Sequence, residues 1–305
     1  MDRKRRHHHV WQEYLRSWES EAGIFCLQDG RIFSTGTRSV AIEKDFYRFY
    51  ELDAEDIQII LDILKGEPEE SENPHDNETL QLFLTPLLWL QSTGGVGHDG
   101  GKIKQLQEQY LSEAFENLHQ TIESAFLPIL RELLVGGVGF YRQEKESNKF
   151  FIFMCVQYMR TIGPRVRAIQ HFRKTTGRDL TKIWSFLCYR LAIRLAGNLA
   201  SERDKRPLLL MHNNTDIPFV TGDQPLINLF NTGPEQVPTH FAIYYPLSPK
   251  LALVLNEIEL VHPFTSESPT QDQITGLNSL IFKNAFRQVF GHSRESLLTL
   301  EGAQK

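Results

Sequence analysis

The stretch Ile217–Ile258 decides the fold, because it reads as four short strands arranged around an acidic turn. It begins I-P-F-V-T-G-D-Q-P-L-I-N-L (217–229) and, after a polar loop, continues F-A-I-Y-Y-P-L-S-P-K-L-A-L-V-L-N-E-I (241–258). Runs of β-branched and aromatic residues predict the strands at 219–221, 226–229, 241–245 and 251–255. The turn Gly222-Asp223-Gln224-Pro225 separates the first two strands. A small sheet should therefore hold Asp223 in a fixed pose, with helices covering the sheet.

Helical patterning dominates the rest of the chain. Apolar residues at helical spacing predict helices, some of them short or broken, over 10–18, 53–64, 79–90, 105–134, 149–162, 179–198 and 269–289. A hairpin with an Asp29-Gly30 turn and a strand over 207–211 complete the pattern. We therefore expect a single α+β domain over residues 1–305, with roughly five to seven helices and about 45% helix packed on a small, mostly antiparallel sheet. An acidic, mobile loop at 66–78 and a glycine-rich loop at 92–102 should interrupt it.

Composition limits the class of protein. The 305 residues are 41% hydrophobic and 23% charged, as in soluble globular proteins. A net charge of −5 provides no overall positive field to attract nucleic acid, so any such binding would be local. Three distant cysteines without a C-x-x-C pair favour a reducing compartment over a disulfide framework. Since no apolar run is long enough for a secretory signal or a membrane span, we expect a cytoplasmic protein with no membrane partner.

A few polar residues stand out against the apolar background. His7 and His8 lie in the basic N-terminus, where imidazole can act as an acid, a base or a metal ligand near neutral pH. Gln157, Arg160 and Thr161 share one face of an otherwise apolar helix. Because charged side chains are rarely buried without a partner, an anion should lie close to this arginine.

Asp223 is a candidate for that anion, with Glu43 as the other. On a rigid turn the Asp223 carboxylate can hold a divalent metal, orient a histidine or accept backbone N–H groups. We expect it within direct or water-mediated hydrogen-bond reach of Arg160, Gln157 or the two histidines, because an unpaired buried arginine costs several kcal/mol. Gln224 would lie beside it in the same site.

Six blocks of sequence then carry a resemblance to a known family. They are H-H-H-V-W-Q-E-Y-L-R-S-W (7–18), A-I-E-K-D-F-Y (41–47), V-Q-Y-M-R-T-I-G-P-R (156–165), F-V-T-G-D-Q-P-L (219–226), Y-P-L-S-P-K-L-A-L-V-L (245–255) and N-S-L-I-F-K-N-A-F-R-Q-V (278–289). In this order they resemble the bacterial domain-of-unknown-function family 4238 over essentially the whole chain. The chain departs from the family pattern at His9, Trp11, Gly222 and Gln224, where the family has Tyr, Pro, Ser and Asn. Members resemble accessory or effector genes of bacterial mobile and defence regions, which implies a nucleic-acid-directed activity.

Two functions of different classes are open at this point. In the first, the chain is a nuclease-like hydrolase in which His7, His8 and Asp223 cleave a phosphodiester by acid–base chemistry, or with Mg²⁺ or Mn²⁺ on Asp223. The basic stretch 160–178 would contact nucleic acid, and four side chains would bind the substrate: Gln157, Arg160, Thr161 and Gln224. In the second, the chain is a non-catalytic sensor or interaction module that binds a phosphate-bearing ligand or a partner protein. An open cleft around the cluster favours the first function, and a sealed ion pair favours the second.

Overall fold

A computed structural model describes residues 6–65, 84–92, 100–231, 240–258 and 262–301. It places 55% of the residues in helices and 17% in strands, which confirms a mainly helical α+β fold with more helix than expected. The acidic loop predicted at 66–78 and positions 93–99 of the glycine-rich loop lie outside the described residues. Positions 100–102 of that loop belong to a helix. That the chain forms one domain stays a prediction.

The helices follow the predicted pattern in most places. In chain order they are α1 Gln12–Leu15, α2 Ala54–Lys65, α3 (84–92), α4 Gly100–Leu134, α5 Glu144–Met159, α6 Ile162–Thr176, α7 Trp184–Ser201, α8 Gln271–Asn284 and α9 Arg294–Glu301. The sequence does not predict α6, because Gly163-Pro164 reads as a helix stop. Proline is tolerated in the first turn of a helix, so the same dipeptide instead begins one. Within the described ranges, no helix combines the length and apolar character that a bilayer span requires.

The strands form three antiparallel sheets. In chain order they are β1 Arg6–His8, β2 Ile24–Gln28, β3 Arg31–Thr35, β4 Ile42–Lys44, β5 Leu208–His212, β6 Thr221–Gly222, β7 Ile227–Asn228, β8 Ile243–Ser248, β9 Leu251–Leu255 and β10 Gln288–Gly291. One four-stranded sheet has the order β3-β2-β10-β6, a second has the order β5-β9-β8-β7, and β1 pairs with β4 alone. The four predicted strands of the 217–258 stretch therefore lie in two sheets rather than one, and the Asp223 turn joins them.

The predicted last helix extends too far, because its final residues belong to a strand. The sequence predicts a helix over 269–289, whereas α8 ends at Asn284 and β10 follows within four residues. β10 pairs with both β2 and β6, so this missed strand lies inside its sheet. Backbone hydrogen bonds to the Asp223 side chain, described below, hold the chain out of the helical conformation at 286–288.

The segment around α1, where the sequence predicts a short helix, is packed into the core. Tyr14 and Trp18 are both fully buried. The Tyr14 hydroxyl donates to Pro246 O at 2.7 Å, and the Trp18 indole N–H donates to Phe219 O at 3.3 Å. Since burying a large apolar side chain contributes roughly 1.5–3 kcal/mol, these contacts fix the N-terminal residues against both sheets.

Candidate ligand-binding site

The N-terminal strap, residues 6–11, begins with β1, which is one strand of the two-stranded sheet. β1 pairs antiparallel with β4, so that His7 lies opposite Glu43. Because side chains alternate along a strand, His7 and His9 face the buried side and are 0% and 2% exposed, whereas His8 is half-buried. The strap therefore carries two of its three imidazoles into the core.

The ring of His7 has a defined structural partner. Its Nδ1 accepts the backbone N–H of Tyr47 at 2.9 Å, and its ring stacks on the Tyr47 ring with centroids 5.5 Å apart. The Tyr47 hydroxyl in turn donates to the backbone oxygen of His8 at 3.2 Å. His7 thus holds the segment after β4 in place through Nδ1. In the neutral ring this acceptor nitrogen is the one that a general base would use.

Burial favours the uncharged form of both His8 and His9. Burial lowers the pKa of His8, against a backbone hydrogen bond at Thr37 that raises it. Burial also lowers the pKa of His9 to about 3, and the Arg160 charge adds to that effect. Within the described residues, Nε2 of His8 and both ring nitrogens of His9 have no hydrogen-bond partner. Because a neutral imidazole keeps one acceptor nitrogen, each ring can still accept a hydrogen bond.

Arg160 is sealed inside a polar junction at the end of α5. Its guanidinium, 2% exposed, forms an ion pair with Glu123 of α4 at 2.7 Å. It also hydrogen bonds to Gln157 Oε1 at 3.1 Å and to His119 Nδ1 at 3.0 Å. Gln157 Nε2 donates to the backbone oxygen of His9 at 3.0 Å. The polar helix face predicted from the sequence is therefore a buried junction between α4, α5 and the strap.

The partner of Arg160 corrects the expectation. The sequence predicts Asp223 or Glu43, whereas among the described residues the ion pair is with Glu123. Burial raises the pKa of Glu123, and the positive charge of Arg160 opposes the rise. Glu123 and His119 are absent from the predicted site, although a signal exists. On α4 every fourth residue is buried at Leu111, Phe115 and His119, and Glu123 follows at the same spacing.

The carboxylate of Asp223 fastens the segment that follows α8. Its Oδ1 accepts the backbone N–H of Phe286 at 2.7 Å, and its Oδ2 accepts those of Arg287 at 2.6 Å and Gln288 at 3.0 Å. Burial raises the pKa of this carboxyl, and the three hydrogen bonds oppose the rise. Among the described residues it makes no direct hydrogen bond to the strap or to α5. Its observed contacts are those of a carboxylate that accepts backbone N–H groups, which is one of the three roles considered from the sequence.

The helix-start site is the cluster at the first turn of α6: Thr161, Gly163, Arg165, Arg167 and Gln224. The Thr161 hydroxyl donates to the side-chain oxygen of Gln224, so the hub turn reaches the helix through this glutamine. Thr161 is the extended residue before α6, and its side chain caps no helix amide. A Cβ on Gly163 would lie 3.0 Å from Arg167 Nη1 and 3.3 Å from Gln224 Oε1, which places both side chains over the first turn.

Two arginines of the helix-start site have no acidic partner among the residues that the structure describes. The Arg165 guanidinium lies over the ring of Phe46 at 4.9 Å. In the part of the chain that the structure describes, neither Arg165 nor Arg167 has a carboxylate within ion-pair distance. Both side chains are half-buried. The start of α6 therefore carries two cationic groups whose charge no described carboxylate offsets by an ion pair.

The other end of the predicted basic stretch 160–178 is different. Arg173 forms an ion pair with Asp179 at 2.6 Å, and Arg178 forms one with Asp62 at 2.9 Å. These exposed pairs offset part of the positive charge there. The uncompensated arginine charge of the stretch is thus concentrated at the helix-start site.

Metal ligation is not apparent in this arrangement. Over the described ranges, no group of three or more His, Cys, Asp or Glu side chains is placed to hold a metal ion. The catalytic roles of His7, His8 and Asp223 stay predictions, as does a Mg²⁺ or Mn²⁺ ion on Asp223. The structure brings Gln157 and Arg160 together in the buried junction, and it joins Thr161 to Gln224 in the helix-start site.

Comparison with known families gives one match. Residues 6–295 match the model of a family described as protein of unknown function (DUF4238). The match spans nearly the whole chain and confirms the resemblance carried by the six sequence blocks. Comparisons with curated proteins and with solved structures found no match.

Proposed function

We propose that the chain, which belongs to the DUF4238 family of proteins of unknown function, binds a phosphate-bearing ligand at the helix-start site. One observation carries the proposal: Arg165 and Arg167 flank the first turn of α6 without a carboxylate among the described residues. Arginine presents a planar fork of donors that matches phosphate oxygens. Two such forks beside a helix start form a recognition element for an anion.

The helix itself contributes to this recognition. The first backbone N–H groups of a helix have no partner within it, and the helix dipole makes that end positive. Pro164 has no N–H, so Ile162 and Gly163 supply the first-turn donors. Gly163 lacks a side chain, which lets the Arg167 guanidinium and the Gln224 side-chain oxygen approach the backbone of the first turn closely. The imidazole of His9, whose nitrogens accept no hydrogen bond from any described residue, lies 5.5 Å from the Phe46 ring between centroids, and Phe46 is the ring that Arg165 covers.

The ligand is compact rather than an extended nucleic-acid strand. A strand would need a row of available cations along α6, because each phosphate contact adds to affinity. Ion pairs to Asp179 and Asp62 engage Arg173 and Arg178 at the far end, which leaves Lys174 as the cation there without an ion pair to a described residue. We therefore favour a small molecule with one or a few phosphate groups, such as a nucleotide, and a sensor or interaction role for the protein.

Calorimetry on matched variants tests the proposal. We expect pyrophosphate or ATP to bind the wild-type protein, and the double variant Arg165→Gln/Arg167→Gln to bind at least about tenfold more weakly, a loss of about 1.4 kcal/mol. The control is Arg173→Gln/Arg178→Gln, which removes the same charge from the other end of the same stretch. Equal weakening in the two double variants would indicate non-specific attraction, and absence of binding to wild type would refute the proposal.

Phosphodiester cleavage by a nuclease-like bacterial effector is the second candidate. The observation behind it is the buried Nε2 of His8, which has no hydrogen-bond partner in the described residues and could accept a proton from a bound substrate. Wild type and His8→Gln should be compared on RNA and DNA substrates, with and without Mg²⁺ or Mn²⁺. Cleavage that His8→Gln abolishes supports this candidate. Intact substrates under all conditions reject cleavage without affecting the binding proposal.

A further inference from the structure

A cavity of about 640 Å³ lies between the β2–β3 turn and the end of α8. Its size falls in the range of small-molecule sites. The turn Gln28-Asp29-Gly30 forms one wall, and the segment 282–287 forms the other. Asp29 and Gly30 both have positive φ, at 50° and 69°, as a tight Asp-Gly hairpin turn requires. The hairpin wall is therefore held by backbone conformation.

The helix-side wall combines aromatic and cationic groups. Phe286 is 42% exposed and lines the cavity together with Phe282. Lys283 and Arg287 line it as well, and Arg287 lies over the Phe286 ring at 5.4 Å. Asp29 is the acidic group of the lining. The lining thus holds two cations, one carboxylate and two phenyl rings, and Glu43, outside the lining, lies 3.9 Å from Arg287 and offsets part of its charge.

The Asp223 carboxylate fixes this wall in position. It accepts hydrogen bonds from the backbone N–H groups of Phe286 and Arg287 at 2.7 and 2.6 Å, from within the core. Those bonds stop the helical path at Asn284 and set the direction of the two side chains that reach the cavity. Asp223 thus acts on the cavity through the backbone, as a positioning residue.

We infer that this cavity is a binding site for a planar aromatic anion, such as an aromatic carboxylate. The phenyl rings offer stacking and edge contacts to an aromatic body. Lys283 and Arg287 offer charge-assisted hydrogen bonds to its acidic group. The site is separate from the helix-start site and does not depend on phosphate binding there.

The probe is 2-naphthoate, with its neutral amide 2-naphthamide as the matched compound. Calorimetry should show that wild type binds the carboxylate at least about tenfold more tightly than the amide. Lys283→Gln/Arg287→Gln should remove that difference, whereas Arg142→Gln, a charge change in another cavity, should leave it intact. Equal binding of carboxylate and amide to wild type, or no binding of either, would overturn the inference.

Two exposed phenylalanines provide the second control. Phe286 and Phe33 are each 42% exposed, but Phe33 lines a neighbouring cavity that shares Gln28 and Asp29 with this one. Phe286→Ala should weaken 2-naphthoate binding about tenfold, and Phe33→Ala should not. The reverse result would place the probe in the neighbouring cavity and contradict the assignment.

Asp223→Asn tests the positioning role. The amide replaces an acceptor oxygen with a donor that faces backbone N–H groups, so the 286–288 segment should shift. Affinity for 2-naphthoate, measured well below the melting temperature on folded protein, should fall about tenfold. Glu123→Gln, a destabilising change in the remote Arg160 junction, is the control and should keep wild-type affinity. Unchanged affinity in Asp223→Asn would limit Asp223 to a stabilising role.

Discussion

Replacing Glu123 with glutamine should lower the free energy of unfolding by roughly 3–5 kcal/mol. The change leaves Arg160, 2% exposed and bound to Gln157 and His119, as a buried cation without its counter-charge. The cost of an unpaired buried charge is larger than the net value of the pair, which is why removing one partner is so damaging. Urea denaturation monitored by tryptophan fluorescence measures the loss.

Glu146→Gln is the matched control for this prediction. Glu146 forms an ion pair with Lys149 at 2.7 Å, with side chains 29% and 34% exposed. Pairs of this kind contribute about 0–1 kcal/mol, because water screens them. A similar small loss in both variants would show that the Arg160 junction is solvated, and the sealed core described here would then be incorrect.

Acid should destabilise the protein through His9. The folded pKa of His9 is about 3, below the value near 6.5 expected for an unfolded chain. The unfolded state therefore takes up the proton first as the pH falls. The stability that neutral His9 provides is complete above about pH 6.5 and is lost towards pH 3. At about 1.36 kcal/mol per pH unit, roughly 3 kcal/mol should disappear between pH 7 and pH 4.

The variant His9→Phe isolates this contribution from other acid-sensitive groups. Arg160, His8 and Arg287 are the charged or titratable groups that act on His9, and all of them disfavour its protonation. The variant should lose roughly 3 kcal/mol less than wild type between pH 7 and pH 4. His171→Phe, at an exposed position of α6, should keep the wild-type dependence. Parallel pH curves for wild type and His9→Phe would mean that His9 is solvated.

Local sequence patterns predict the elements whose signals are local. The Asp29-Gly30 hairpin and the buried face of α1 follow from turn chemistry and apolar spacing, and both are found. Elements set by distant contacts are missed. β10 exists because the Asp223 side chain captures backbone groups more than sixty residues away. α6 is missed because proline near a glycine signals a helix end and a helix start equally well.

The candidate site residues likewise divide into those that local patterns predict and those that distant contacts determine. Periodicity correctly places Arg160 and Gln157 on one face of a buried helix, and burial implies an anion for the arginine. The identity of that anion does not follow from the sequence, because many of the acidic residues could supply it and only the packing of α4 against α5 selects Glu123. Similarly, no local pattern shows that Arg173 and Arg178 form ion pairs, whereas Arg165 and Arg167 form none with the acidic residues that the structure describes.

The position of a bound phosphate analogue tests the central claim most directly. Crystals of the protein soaked in tungstate would give an anomalous signal at the anion. We expect a peak at the first turn of α6, within hydrogen-bond distance of the Arg165 or Arg167 guanidinium, and no such peak in crystals of Arg165→Gln/Arg167→Gln. Anomalous density only at other positions, or none at the start of α6, would contradict phosphate binding at the helix-start site.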